Sequence, residues 1–168
     1  MRTIRTLITL SMVLAVGLST ASIALAQTDP KAPASFVGWV LDESHVDSGT
    51  AEDLGSVLER RDLAYSYDFD SSDPRMSGTG LWMGNGDRYR AEPLFELQTA
   101  RWVITNDEGS WEGIGTGLRG TGGGDNSTLV LEGTGAYDGM SAYLGIDWNL
   151  GGGTIQGAIF PGTIPDAP

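Results

Sequence analysis

The chain has 168 residues, with 22 acidic against 10 basic side chains, a net charge of −12, no cysteine and a single histidine. Such a surface repels nucleic acid and anionic lipid, and the lack of cysteine excludes disulfides and thiolate metal sites. The length suits one domain with its own core.

The first segment reads as an export signal. Arg2 and Arg5 precede an apolar run over 7–18, and Ala24-Leu25-Ala26 is a small-x-small cleavage site before the polar Gln27-Thr28-Asp29-Pro30. Charge, apolar core and small-residue site in that order predict a cleaved signal peptide over 1–26 and a secreted or extracytoplasmic protein. An uncleaved membrane anchor is the alternative, since about 20 apolar residues reach across a bilayer. Residues 27–35 follow as a flexible lead-in containing Pro and Ala.

Phe36 to Leu41 predicts a first strand, and 42–50 an acidic loop holding His45. Thr50-Ala51-Glu52-Asp53 resembles a helix capping box with Leu54, Val57 and Leu58 at helical spacing, in competition with a strand over 56–60. From Ala64 to Asp70 the apolar rings of Tyr65, Tyr67 and Phe69 alternate with smaller or acidic residues, the period of a half-buried strand. Residues 71–75 form a turn around Pro74. A strand over 76–83 runs into Gly84-Asn85-Gly86-Asp87, whose chemistry predicts another turn. Thr99 to Thr105 and Ser110 to Leu118 predict a hairpin reversing at Asn106 to Gly109. Strands over 127–136, 140–148 and 154–160 complete the pattern, joined by Tyr137-Asp138-Gly139 and by the turn at 151–153, and 162–168 is a polar tail.

Short strands at hairpin spacing predict an all-β domain over 36–161. Glycines share strand faces with aromatic rings: Trp111 with Gly113, Gly115 and Gly117, and Trp82 with Gly78 and Gly80. That pattern suits tightly coiled strands with rings laid on bare backbone, which favours a small closed antiparallel β-barrel over a sandwich.

Several motifs carry chemistry only in a setting that this chain lacks. Gly115-Thr116-Gly117-Leu118-Arg119-Gly120 matches a dinucleotide fingerprint in letters, but a glycine-rich run follows it where a helix is required. Asp68, Asp70, Ser72 and Asp73 resemble the start of a calcium loop, yet Asp73 and Thr79 stand where Gly and Glu are needed. No metal site and no cofactor are expected. His45 has no nucleophile elbow to serve. Glu112 and Glu132 are the best carboxylate pair for glycoside hydrolysis, though alternate strand residues face solvent by default. Asn126-Ser127-Thr128 is a glycosylation sequon that matters only in a eukaryotic secretory route.

Three local patterns carry a family resemblance: Ser72-Asp73-Pro74-Arg75-Met76-Ser77-Gly78, Gly109-Ser110-Trp111-Glu112-Gly113 and Glu132-Gly133-Thr134-Gly135-Ala136-Tyr137-Asp138-Gly139. In this order they resemble a group of uncharacterised exported bacterial β-barrel proteins. The last is similar, more loosely, to a strand and turn of the allene oxide cyclase and dirigent-like barrels. The resemblance implies an eight-stranded antiparallel barrel, often a homo-oligomer, with an apolar cavity for hydrophobic small molecules. It carries over no catalytic residue.

The expected function is therefore non-catalytic binding of a small apolar ligand, with Trp82, Trp102, Trp111 and Tyr137 as aromatic walls. Asp73 and Arg75 are expected to pin a turn at the rim. The alternatives are a cyclase or isomerase acting on a hydrophobic substrate, or a structural or carbohydrate-binding surface protein. A carboxylate in the cavity would favour the enzyme, and an exposed row of aromatics would favour carbohydrate.

Overall fold

The structure is a computed structural model that describes residue 29 and residues 31–120, 124–149 and 152–164. The segment expected as a signal over 1–26, part of the glycine-rich loop after Arg119 and the end of the C-terminal tail lie outside the described residues. Nine strands are present among the described residues: β1 (Ala34–Asp47), β2 (Thr50–Asp53), β3 (Val57–Ser71), β4 (Gly78–Tyr89), β5 (Phe95–Thr105), β6 (Gly109–Arg119), β7 (Asp125–Gly135), β8 (Met140–Asn149) and β9 (Gly152–Pro161).

From β3 to β9 each strand pairs antiparallel with the next, and β9 pairs with β1. The ring closes because β1 also pairs with β3, from Gly38 opposite Ser71 to Asp47 opposite Ala64. β2 takes over the same edge of β3, from Thr50 opposite Arg61 to Asp53 opposite Leu58, so it prolongs the line of β1. The result is an up-and-down ring of eight antiparallel strands, as the sequence predicts, in which the far part of β1 and all of β2 pair with β3 alone.

Inward positions alternate along each strand and fill the ring. Trp102 and Ile104 on β5, Leu129 and Leu131 on β7, Leu144 and Ile146 on β8, and Ile155 and Ile159 on β9 all belong to one buried cluster. The glycine faces work as the sequence suggests. A Cβ on Gly115 would stand 2.8 Å from Nε1 of Trp102, so the indole lies on bare backbone there.

Three local expectations need correction. The segment 42–50 is not a loop: β1 runs through His45 to Asp47, and His45 sits exposed on that strand with its ring 5.1 Å from that of Tyr65. Thr50 to Asp53 is strand rather than helix start, because its backbone groups pair with β3. Propensity yields there to a partner edge that sequence patterning cannot show. Gly84 to Asp87 is no turn, because β4 continues unbroken through it, paired with β3 and β5 on either side. The reversal falls instead at 90–94, which contains the cis Glu92–Pro93 bond.

The end of the ring where β3 passes into β4 is closed. Residues Pro74–Met76 form a 3-10 turn tucked under the ring, with Arg75 and Met76 buried. Asp73 caps it: Arg75 N–H donates to its Oδ1, and the Arg75 guanidinium pairs with both carboxylate oxygens at 2.9 and 2.6 Å. Asn106 ties this plug to the neighbouring turns. Its amide donates to the carbonyls of Arg75 and Ser77, and its Oδ1 accepts from the Tyr137 hydroxyl at 2.8 Å. The lead-in also docks here, since Ala32 O accepts from Arg75 and Lys31 Nζ donates to Asp138 O.

The tight reversal at Tyr137-Asp138-Gly139 belongs to the same closed end. Gly139 has φ +79°, which only glycine adopts without strain, although nothing crowds the space a side chain would fill. Gly139→Val is expected to destabilise the fold by about 1–3 kcal/mol through backbone strain alone. Chemical denaturation measures this, and a variant as stable as the wild type would refute the positive-φ requirement.

Candidate functional site

Among the described residues the opposite end of the ring holds a cavity, and the candidate site is this mouth. Strands β3, β4, β5, β6, β7 and β8 bring Arg60, Leu63, Tyr65, Tyr67, Trp82, Gln98, Trp102, Arg119, Asp125, Ser127, Trp148 and Asn149 around a cavity of about 120 Å³. That is roughly the room of one aromatic ring, since a cavity of about 150 Å³ takes benzene.

The floor is aromatic. The rings of Tyr67 and Trp148 lie 5.1 Å apart, those of Tyr67 and Trp102 5.6 Å apart and nearly parallel, and those of Tyr65 and Trp82 5.6 Å apart. Tyr65, Tyr67, Trp82 and Trp102 occupy inward positions on the neighbouring strands β3, β4 and β5, and closure of the ring brings Trp148 of β8 across to them.

The rim is polar and charged. Glu96 on β5 is 2% exposed and receives both Arg60 from β3 and Arg88 from β4. Gln98 also donates to it, at 3.1 Å. Burial by itself would raise the Glu96 carboxyl, but the bonds from Gln98, Arg60 and Arg88 and the Arg60 charge hold it below its ordinary value. Asp125 on β7 shows the reverse balance. Burial pushes its carboxyl up and the Glu96 charge adds to the rise, against the pull of Arg119 and the nearby Ser127 hydroxyl.

Two polar atoms at this rim are buried without a hydrogen-bond partner among the described residues: Oδ1 of Asp125 and Nε of Arg60. Buried polar groups are nearly always satisfied in folded proteins, so each such exception asks for an explanation. Here both side chains line the same cavity. They reach it from β3 and β7, opposite sides of the ring.

The four aromatic residues expected to form the ligand wall divide between the two ends. Trp82 and Trp102 line the mouth. Trp111 and Tyr137 do not, being buried at the closed end, where their rings stack 5.0 Å apart. There Trp111 Nε1 donates to Arg75 O, so both rings hold the plug. Tyr65, Tyr67 and Trp148 escaped the sequence reading. The alternation over 64–70 already put Tyr65 and Tyr67 on one face, but nothing local says which end of a barrel a face serves.

The remaining candidates lie away from the mouth. Glu112 and Glu132 are cross-strand neighbours on the outer wall, and Glu112 pairs with Arg101. Asp68 and Asp70 are exposed, whereas Asp73 is engaged by Arg75. The exposed aromatics Trp39 and Tyr143 stand on β1 and β8 with β9 between them, and four residues out of register. Trp39 lies level with Thr154 and Asp147, while Tyr143 lies level with Ala158, so they form no row.

No protein-family model matches this chain, and neither a curated protein nor a solved structure resembles it significantly.

Proposed function

We propose that this is an exported, non-catalytic binding protein that takes a small ligand in the mouth of the ring. The observation that carries the reading is the pair of partnerless buried atoms, Asp125 Oδ1 and Arg60 Nε, set above an aromatic floor. Both atoms are shut off from solvent, so a ligand that drew the Asp125 and Arg60 side chains toward it and supplied their hydrogen bonds would remove the cost of leaving them dry. The apolar ligand expected from the sequence suits the floor but not the rim. The ligand therefore needs an apolar face and a polar edge. Filling of the rest of the interior by side chains limits it to about one ring in size.

Gly117 offers the test. Its Cβ position points among Ser127, Asp125 and Gln98, so Gly117→Leu grows a side chain into the mouth with only flexible side-chain ends to displace. The expected result is a small molecule that co-purifies with the wild type, detected by mass spectrometry, and is missing from a folded Gly117→Leu protein. An identical small-molecule profile for the two proteins would overturn the mouth as the binding site.

A second reading is supported by one observation, the raised carboxyl of Asp125 inside the cavity. Burial that favours the protonated form of a carboxyl suits it to donate a proton as a general acid, as a cyclase or isomerase would use. Turnover of the co-purified molecule or its precursor that is lost in Asp125→Asn would favour that reading over simple binding.

A further inference from the structure

Resting on the binding reading above, we infer that the mouth is built for a neutral sugar ring, a pyranose-type polyol that lays its C–H face on the aromatic floor and turns its hydroxyls to the rim. The hydrogen-bonding demands of the rim lead to this class. Three oxygens converge on one point, the place of a Gly117 Cβ: Ser127 Oγ at 3.0 Å, Asp125 Oδ1 at 3.2 Å and Gln98 Oε1 at 3.4 Å. Asp125 Oδ1 and Gln98 Oε1 call for donors, and the Ser127 hydroxyl, which accepts from Trp148 Nε1, can itself donate. The Nε–H of Arg60 on the other side calls for an acceptor. A hydroxyl is donor and acceptor at once, so a ring carrying several of them meets both demands without bringing charge.

Other classes meet only half of the demand. An ammonium supplies donors alone, leaves Arg60 Nε bare and adds positive charge beside Arg60, Arg88 and Arg119. A carboxylate supplies acceptors alone and faces Asp125 and Glu96. A wholly apolar molecule leaves both sides unpaired.

Two of the three oxygens, those of Ser127 and Gln98, are also held in place before a ligand arrives. Trp148 Nε1 donates to Ser127 Oγ at 3.2 Å, and the Gln98 amide is turned by its bond to Glu96, which leaves Oε1 for the cavity. Groups fixed beforehand lose little freedom on binding. Planar amide, carboxylate and guanidinium groups at Gln98, Asn149, Asp125 and Arg60 share the cavity lining with Trp148 and Tyr67, so polar edge contacts and aromatic contacts are on offer together.

The test uses saturation-transfer NMR and calorimetry on the full protein with D-glucose, D-galactose and D-xylose. Benzylammonium, benzoate and indole represent the cationic, anionic and apolar classes. At least one sugar is expected to bind, to be excluded by Gly117→Leu, and to bind roughly tenfold or more weakly to Asp125→Ala. Asp125→Asn keeps an acceptor oxygen and is expected to lose less, which separates a lost contact from a damaged fold. Binding of indole, benzoate or benzylammonium that Gly117→Leu blocks, with no sugar response, would overturn the sugar class and leave the binding site standing. A sugar signal unaffected by Gly117→Leu and Asp125→Ala would place the contact elsewhere and also overturn it. No response from all six probes, together with no co-purified molecule, would overturn both readings.

Discussion

Trp111→Ala is expected to destabilise the protein by about 3–5 kcal/mol, the usual cost of truncating a fully buried tryptophan. Trp111 is 0% exposed, stacks on Tyr137 with ring planes 10° apart, and donates its indole N–H to the Arg75 carbonyl at 2.8 Å. Truncation removes the roof of the plug and the partner of Tyr137 in one step. For a domain of this size the melting temperature should fall by roughly 10–20 °C. Trp111→Phe keeps most of the ring and leaves the Arg75 carbonyl to Asn106, so its loss should be nearer 1 kcal/mol for the missing N–H bond. Thermal and urea denaturation of both variants check this. Were Trp111 a ligand wall instead, Trp111→Ala would weaken binding at the mouth and change the melting temperature little. A shift of less than a few degrees would therefore refute its role in holding the closed end.

Glu96→Gln is expected to be the second large effect, about 2–4 kcal/mol at neutral pH. Removing one member of a buried ion pair typically costs about 3–5 kcal/mol, because the partner charge is left uncompensated. The lower figure allows for Arg88, whose side chain is 37% exposed and is partly screened by solvent. Arg60 is the more buried of the two guanidiniums and bears most of the loss. The pH dependence has a definite sign. The native Glu96 carboxyl lies below its ordinary value, so its stabilisation is fully present above the unfolded pKa of about 4.3 and is lost as pH falls through the lower native value. The gap between wild type and Glu96→Gln should hold constant around neutrality and narrow on acidification below about pH 4. Urea melts at pH 7 and pH 3.5 measure it. A gap that widens in acid would show that Glu96 is not held ionised by Arg60 and Arg88.

Residue patterning determined the fold class and much of the strand order. Alternation over 64–70 and the Asn-Asp-Glu-Gly reversal at 106–109 are local signals, since side-chain period and turn geometry belong to a few neighbouring residues. The same holds for the Asp-Gly reversal at 138–139, where the structure shows the positive φ. Asp73 capping Arg75 follows equally from spacing along the chain. Where patterning failed, a distant partner decided. Gly84 to Asp87 has turn chemistry and still stays in β4, because strands on both sides satisfy its backbone. Thr50 to Asp53 has helix-start chemistry and lies along β3 because that edge was vacant beyond β1.

The site was legible only in part, for a related reason. That Trp82, Trp102 and Trp111 face inward can be read from alternation. Which end of the ring each serves depends on the register of eight strands at once. Ring closure through β1 and β3 sent Trp111 and Tyr137 to the plug and left Trp82 and Trp102 at the mouth. Only that closure sets Arg60 and Asp125, 65 positions apart in the chain and on opposite sides of the ring, over one cavity. Their partnerless atoms belong to no local sequence pattern, because burial and hydrogen-bond satisfaction are properties of the closed ring and not of any segment within it.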